Sequence, residues 1–221
     1  MSATFFASDF HIGYPQANYE AIHKFLDLAE KEASELFLLG DTFELIWNDW
    51  KGLTENIEAF AVITHLERLS RKIDLTIITG NHDPVNKWPL PLWRFPPQKD
   101  TVWNGYYLTH GHQFDPSIKA LDGALGWLYR FLPYVKDKLF STPFERKGES
   151  ERYNLHISSI HSSVFQWAAG RELKGIIFGH THFPLYEYCP SLDLEIVNTG
   201  DMVDSLSYAV SEGDGLELQT I

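Results

Sequence analysis

Leu75-Thr76-Ile77-Ile78-Thr79-Gly80-Asn81-His82-Asp83 joins a short apolar run to a glycine, an amide, an imidazole and a carboxylate. The run reads as a buried strand, and the polar cluster lies just past its end. The same arrangement recurs along the chain. Thr4 to Ala7 leads into Asp9-Phe10-His11, and Leu36 to Leu39 into Gly40-Asp41. Tyr106 to Thr109 leads into His110-Gly111-His112, and Ile176 to Phe178 into Gly179-His180-Thr181-His182. A further cluster, Asn198-Thr199-Gly200-Asp201, follows Leu194 to Val197. Polar groups placed repeatedly at strand ends are how an α/β protein assembles one site from distant segments.

Between the early strands lie two helical patterns. Ile22, Phe25, Leu26, Ala29 and Ala33 form one apolar stripe, and Ala59, Val62, Ile63, Leu66 and Leu69 form another, with Thr54 as its expected N-cap. This β-α-β-α-β order predicts a parallel first sheet with helices packed on it. Pro84 to Pro97 is proline-rich and predicts a stiff irregular loop. Past Gly175, the runs Ile176 to Phe178, Leu185 to Cys189, Leu194 to Val197, Tyr208 to Val210 and Leu216 to Gln219 predict a second, more antiparallel sheet.

From Pro116 to about Gly170 the chain reads as a helical insertion. Leu121, Leu125, Leu128, Leu132, Val135 and Leu139 form a near-heptad stripe, while Trp127, Tyr129, Phe131 and Phe140 add apolar bulk on other faces. Such a stretch must be buried by something. Ordinary packing against the body is one reading; a lid offering an apolar surface to a lipid-like substrate or a membrane is the other. Arg130, Lys136, Lys138, Arg146, Lys147 and Arg152 make a local basic zone in and after it. These residues suit a solvated helix face, or together a diphosphate or an anionic membrane surface.

The 221 residues suit a single domain with an insertion, and the net charge of −12 argues against a nucleic-acid backbone as partner. A small anionic substrate stays open, because metal ions can supply positive charge locally. One cysteine, Cys189, fits a reducing compartment. Met1 to Ala3 leaves no room for a cleavable signal, and no uncharged run is long enough to span a bilayer. A cytoplasmic protein is therefore expected.

Asp9 and His11 stand two apart at a strand end, so both side chains can project to one side. A hard carboxylate beside a borderline imidazole suits a divalent first-row ion such as manganese, iron or zinc. Asp41, Asn81, His110, His180 and His182 complete a set able to hold two ions if Asp41 bridges. His23, His65, His156 and His161 lie within helical patterns and in no motif, and are read as packed or surface residues.

The succession Asp9-x-His11, Gly40-Asp41-x-x-Glu44, Gly80-Asn81-His82-Asp83, His110-Gly111-His112 and Gly179-His180-Thr181-His182 resembles the calcineurin-like metallophosphoesterases. The resemblance implies a four-layer αββα sandwich of two mixed sheets flanked by helices. It also implies a dinuclear site, most often manganese with iron or zinc as alternatives, whose bridging hydroxide attacks phosphorus. One ion would be held by Asp9, His11, Asp41 and His182, the other by Asp41, Asn81, His110 and His180. His82 matches the acid facing the leaving group, with Asp83 orienting it.

Within the family, Asp41-Thr42-Phe43-Glu44, His182-Phe183-Pro184, Asn198-Thr199-Gly200-Asp201-Met202-Val203 and the aromatic helical insertion are similar to the UDP-2,3-diacylglucosamine hydrolase branch. That branch implies a lipid-linked nucleotide substrate, with peripheral contact at the inner membrane face. His112, Trp127, Arg130, Arg146 and Lys147 are the candidate substrate residues. The branch typically carries Arg in place of His82 and Asp in place of His112, and His82 restores the general phosphoesterase pattern. A small-molecule phosphodiesterase or phosphomonoesterase is therefore the alternative. A non-catalytic binding scaffold ranks last, since no expected ligand is missing.

Overall fold

The computed structural model describes residues 3–46, 48–84, 87–88, 96–116, 118, 151–213 and 215–221, with backbone alone for 151–154. Two compact units result: Met1–Gly111 with Gly170–Ile221, and His112–Ala169.

In the first unit the chain runs β1 (Ala3–Ala7), α1 (Tyr19–Glu32), β2 (Ala33–Leu39), α2 (Trp50–Glu55), α3 (Ile57–Leu69) and β3 (Asp74–Ile78). β4 (Asp100–Trp103) and β5 (Tyr106–Thr109) follow. After the second unit come β6 (Gly175–Phe178), β7 (Leu185–Cys189), β8 (Leu194–Asn198), β9 (Ser207–Ser211) and β10 (Leu216–Thr220). Two five-stranded sheets form, in the orders β10-β9-β1-β2-β3 and β4-β5-β6-β8-β7. The expected pair of mixed sheets with flanking helices is what the chain builds.

Strand alternation explains the layers. Phe5, Ala7, Leu36 and Leu38 face one side of the first sheet and pack with Ile22, Phe25, Leu26, Val62 and Leu66 of α1 and α3. Phe6, Phe37, Leu39 and Ile78 face the other side and pack with Leu108, Ile177 and Val197 of the second sheet. Each such side chain, fully buried, is worth roughly 1.5–3 kcal/mol, so the first sheet is held from both faces.

β1, β2 and β3 are mutually parallel, with Ala7 opposite Leu38 and Leu38 opposite Ile77. β5, β6 and β8 are likewise parallel to one another. The C-terminal ends of each parallel trio therefore open on one edge of its sheet, and these are the ends that carry the polar clusters.

Two expectations are corrected. β9 and β10 do not extend the second sheet; β9 pairs antiparallel with β1, and β10 with β9. The reason is that β9 is apolar on both faces. Tyr208 and Val210 join the helix-side core and Ala209 the core between the sheets, a position open beside β1. Thr54 does not cap the second long helix, because it lies inside the short α2. Asn56 caps α3 instead, its Oδ1 accepting from the Glu58 and Ala59 N–H groups at 3.0 Å each.

The second unit contains a 3-10 turn, His112–Phe114, and α4 (Glu151–Ala168). Phe114 meets Trp167 edge-on at 5.6 Å, and Asp115 lies 3.2 Å from His156 Nε2. The apolar stripe from Leu121 to Leu139 lies outside the described residues, as do Trp127, Arg130, Arg146 and Lys147. No helix among the described residues is long and apolar enough to cross a membrane.

Candidate metal centre

Beyond the end of β1 the chain keeps pairing with the chain beyond β2. Asp9 N–H donates to the Gly40 carbonyl, His11 N–H to that of Asp41, and Ile12 N–H to that of Thr42; Glu44 N–H returns to Ile12. This ladder puts Asp9, His11, Asp41 and Glu44 on one short stretch of double chain. From β3, the His82 carbonyl accepts from Leu45 N–H, and the His82 N–H donates to Asp41 Oδ1 at 2.8 Å.

The second sheet contributes from across the gap. His180 N–H donates to Asp9 Oδ2 at 2.9 Å, and His110 Nδ1 donates to the Leu39 carbonyl at 2.9 Å. A carbonyl can only accept, so His110 Nδ1 carries hydrogen and its Nε2 is turned inward. There it lies 3.3 Å from Asp41 Oδ2 and 3.1 Å from Asn81 Oδ1. The His180 ring meets the His110 ring edge-on at 5.2 Å.

Backbone strain marks the same positions. Asp9, His11, Asp41, His180 and His182 all hold φ between 48° and 69°, a region that non-glycine residues rarely occupy. The glycines preceding Asp41, Asn81 and His180 have a spatial reason. A Cβ on Gly40 would meet the His110 ring at 2.5 Å, one on Gly80 would meet Asp41 Oδ1 at 2.1 Å, and one on Gly179 would meet Asp9 Oδ2 at 2.4 Å. Each glycine makes room for a polar side chain from another strand.

Asp9 Oδ1 is buried and faces imidazole nitrogens. His182 Nε2 lies 3.2 Å from it and His11 Nε2 3.8 Å, while those two nitrogens are only 3.4 Å apart. Three sets of ligand atoms converge within 4.8 Å: Asp9, His11 and His182; Asp9, Asp41 and His110; and His11, Glu44 and His82. Buried carboxylate oxygens ringed by inward-facing imidazole nitrogens fit a divalent cation.

The electrostatics follow from this crowding. Burial works against the charged form of every group. For Asp9 the neighbouring His182 and His110 outweigh it and bring the carboxyl down to about 2. For Asp41, His110 and His82 do the same, holding it well below the usual range. His110 is pushed up to about 10 and His82 to about 9, in both cases because Asp41 overcomes burial. His11 moves down, because burial exceeds the pull of Glu44.

The motif Gly40-Asp41-x-x-Glu44 carries no assignment for Glu44. Glu44 is fully buried and takes His82 Nδ1 at 2.7 Å and His11 Nδ1 at 3.4 Å on one oxygen. Burial opposes its charge, but those two imidazoles bring it down to about 2. The expected partner of His82 was Asp83, and here the geometry differs. The Asp83 carboxylate accepts from the backbone N–H groups of Asp41, Thr42, Phe43 and Gly80 at 2.6–3.3 Å and so clamps the two loops. The buried N–H groups of the 41–43 loop and of Gly80 need such an acceptor. Burial and the nearby Asp41 push its carboxyl up to about 7 against the pull of those donors.

Asp201 is the other residue without an assigned role. One of its oxygens accepts from Val203, Asp204 and Ser205 N–H, and the other faces His182 Nδ1 at 3.8 Å. The signal for it was the polar cluster after β8. His112 starts the 3-10 turn of the second unit.

The family model for calcineurin-like phosphoesterases matches residues 4–184, a span containing every ligand candidate above. The chain belongs to the calcineurin-like phosphoesterases. This metallophosphoesterase is 25% identical over 240 aligned positions to the UDP-2,3-diacylglucosamine hydrolase of a Shewanella species, covering 99% of this chain and 97% of the relative. It is 28% identical to the protein of that name from Shewanella loihica, over 83% of this chain and 82% of the relative. Among solved structures, Yfce, a phosphoesterase from E. coli, superposes with a TM-score of 0.51 at 18% identity, covering 99% of this chain and 92% of its own. That likeness concerns the fold. Metallophosphoesterases use divalent metals, and the donor set described above is of the kind they require.

Proposed function

We propose that this metallophosphoesterase hydrolyses a phosphoric ester or pyrophosphate bond with two divalent ions, manganese foremost. Asp9, His11, Asp41 and His182 would hold one ion and Asp41, Asn81, His110 and His180 the other. The observation that carries this reading is the buried Asp9 Oδ1 with the Nε2 atoms of His182 and His11 turned to it at 3.2 and 3.8 Å. When bound, such ions neutralise phosphoryl oxygens and activate water as the attacking group.

The rest is done by the chain's own side chains. His82 is held by Glu44 through Nδ1, which leaves Nε2, 4.0 Å from Asp41 Oδ2, as its other donor. In the metal-free chain the carboxylates of Asp41 and Glu44 raise its pKa to about 9 against burial. With Asp41 taken up by the ions, Glu44 at Nδ1 is the group that would favour the protonated His82 ring, whose Nε2 can hand a proton to a departing oxygen. Its side chain is 19% exposed, open enough to meet a substrate.

The similarity to the Shewanella hydrolases, full-length in one case, supports a nucleotide-linked, acylated sugar as substrate. In this reading 1–221 is a single catalytic domain, the helical insertion at about 116–170 covers the acyl chains, and the protein works at the inner face of a membrane. His82, which matches the general phosphoesterase pattern, supports a small soluble phosphodiester as the second reading.

Asp41→Asn tests the core of the proposal. Because Asp41 would serve both ions, the variant should lose most bound manganese by elemental analysis, and hydrolysis of a nitrophenyl phosphodiester with it. Two ions per chain and near-normal turnover would sink the proposal. Comparing UDP-2,3-diacylglucosamine with the nitrophenyl ester on the unaltered protein separates the two substrate readings.

A further inference from the structure

On the outer face of the first sheet, α1 and α3 bring two imidazoles together. His23 Nδ1 and His65 Nδ1 are 3.0 Å apart, with ring centroids at 5.3 Å. They line a groove of about 350 Å³ with Asp27, Ala61, Thr64 and Arg68.

Tautomers decide what this pair can do. A direct contact between two Nδ1 atoms needs hydrogen on one and a lone pair on the other. His65 Nε2 is buried, without a hydrogen-bond partner, and faces the carboxylates of Asp27 at 3.6 Å and Glu30 at 4.0 Å. Two acceptors on that side favour hydrogen on Nε2, so Nδ1 of His65 holds the lone pair and His23 donates to it. Burial and the nearby Arg68 pull the His65 pKa down, which keeps the ring neutral. Glu30 is taken up by Arg68 and Lys72, leaving Asp27 to back His65.

An imidazole with Nε2–H toward a carboxylate and its Nδ1 lone pair turned outward is the arrangement of a metal-bound histidine. Zinc–nitrogen bonds of about 2.0–2.1 Å at a tetrahedral angle put two ligating nitrogens about 3.3 Å apart, close to the separation seen. We propose that His23 and His65 chelate one borderline divalent cation such as zinc through their Nδ1 atoms, with Asp27 orienting His65. His23 then carries its single proton on Nε2, so no proton is lost from the pair. The open groove leaves the remaining coordination positions to water or a small ligand. This site uses none of the residues assigned to the catalytic ions, and it joins two helices that also meet through the Arg68–Glu30 ion pair.

Zinc titration of the zinc-saturated protein against His23→Gln tests it. The unaltered chain should carry one zinc more than the variant by elemental analysis, with phosphodiester hydrolysis equal in both. Asp27→Asn should keep the ion but weaken it about tenfold by calorimetry, as loss of an orienting carboxylate does. Nitrogen NMR should show the His23 proton moving from Nδ1 to Nε2 as that last zinc binds. Equal zinc content in the unaltered chain and His23→Gln, or no change in the His23 tautomer, would overturn the proposal and leave a simple hydrogen-bonded pair. Melting temperature of His23→Gln without zinc, matched to the unaltered protein, guards against a folding defect.

Discussion

Glu44 shows how one buried carboxylate can set two imidazoles at once. Its oxygen holds Nδ1 of both His11 and His82, which turns both Nε2 atoms toward the shared centre. Glu44→Gln keeps the volume and removes the charge. Because Glu44 raises the proton affinity of His82, its loss should lower that affinity and move the basic limb of kcat against pH toward acid. Turnover on an unactivated ester should fall about 10²-fold or more, with a smaller loss on a nitrophenyl ester that needs little protonation. An unshifted basic limb would detach Glu44 from the leaving-group proton. At this scale the sequence was legible where residue type alone carries chemistry, as in Asp9, His11 and His110. It was not legible for Glu44 and Asp83. Their roles depend on which loop their side chains turn toward, and that is decided by chain pairing beyond the strand ends.

Elements explain why the site tolerates so little change. The segments after β1, β2 and β3 cross closely enough that a missing Cβ is a structural requirement. Gly80 is the clearest case, because its φ lies outside the strained region and the constraint is purely spatial. An added methyl would meet Asp41 Oδ1 at 2.1 Å and Asp41 N at 2.7 Å, and the backbone atom cannot step aside. Gly80→Ala should cost about 1–3 kcal/mol of stability and much of the metal content. For a chain of this size that is a fall of several degrees in melting temperature. Gly215→Ala, where nothing lies within 4 Å, should change neither. Equal melting temperatures for Gly80→Ala and the unaltered protein would refute this account. The parallel β1-β2-β3 core was readable from its apolar runs and intervening helices. The place of β9 was not, since a strand apolar on both faces fits the middle of either sheet, and only the vacancy beside β1 selects one.

At the scale of the molecule, the centre trades protons for metal. Without ions, His110 and His82 stay protonated up to about 10 and about 9, and His182 is also raised by Asp9 once burial is overcome. Those raised values stabilise the metal-free fold fully below the unfolded histidine pKa of about 6.5. That contribution is lost as pH climbs through 9 to 10. Metal binding requires the ligand imidazoles neutral, so ions must displace the proton of His110, and the raised proton affinity of His182 works in the same direction. Each proton released changes the binding free energy by about 1.4 kcal/mol per pH unit, roughly tenfold in affinity. Two opposite trends should follow between pH 6 and 9. The melting temperature of chelator-treated protein should fall, while the added stability of manganese-loaded protein should grow, because tighter binding to the folded state raises it further. Calorimetry at pH 7 in buffers of different ionisation enthalpy should show protons released on manganese binding. A gap between loaded and stripped protein that stays constant or narrows as pH rises would mean that the imidazoles facing Asp9 and Asp41 are not what the ions displace protons from.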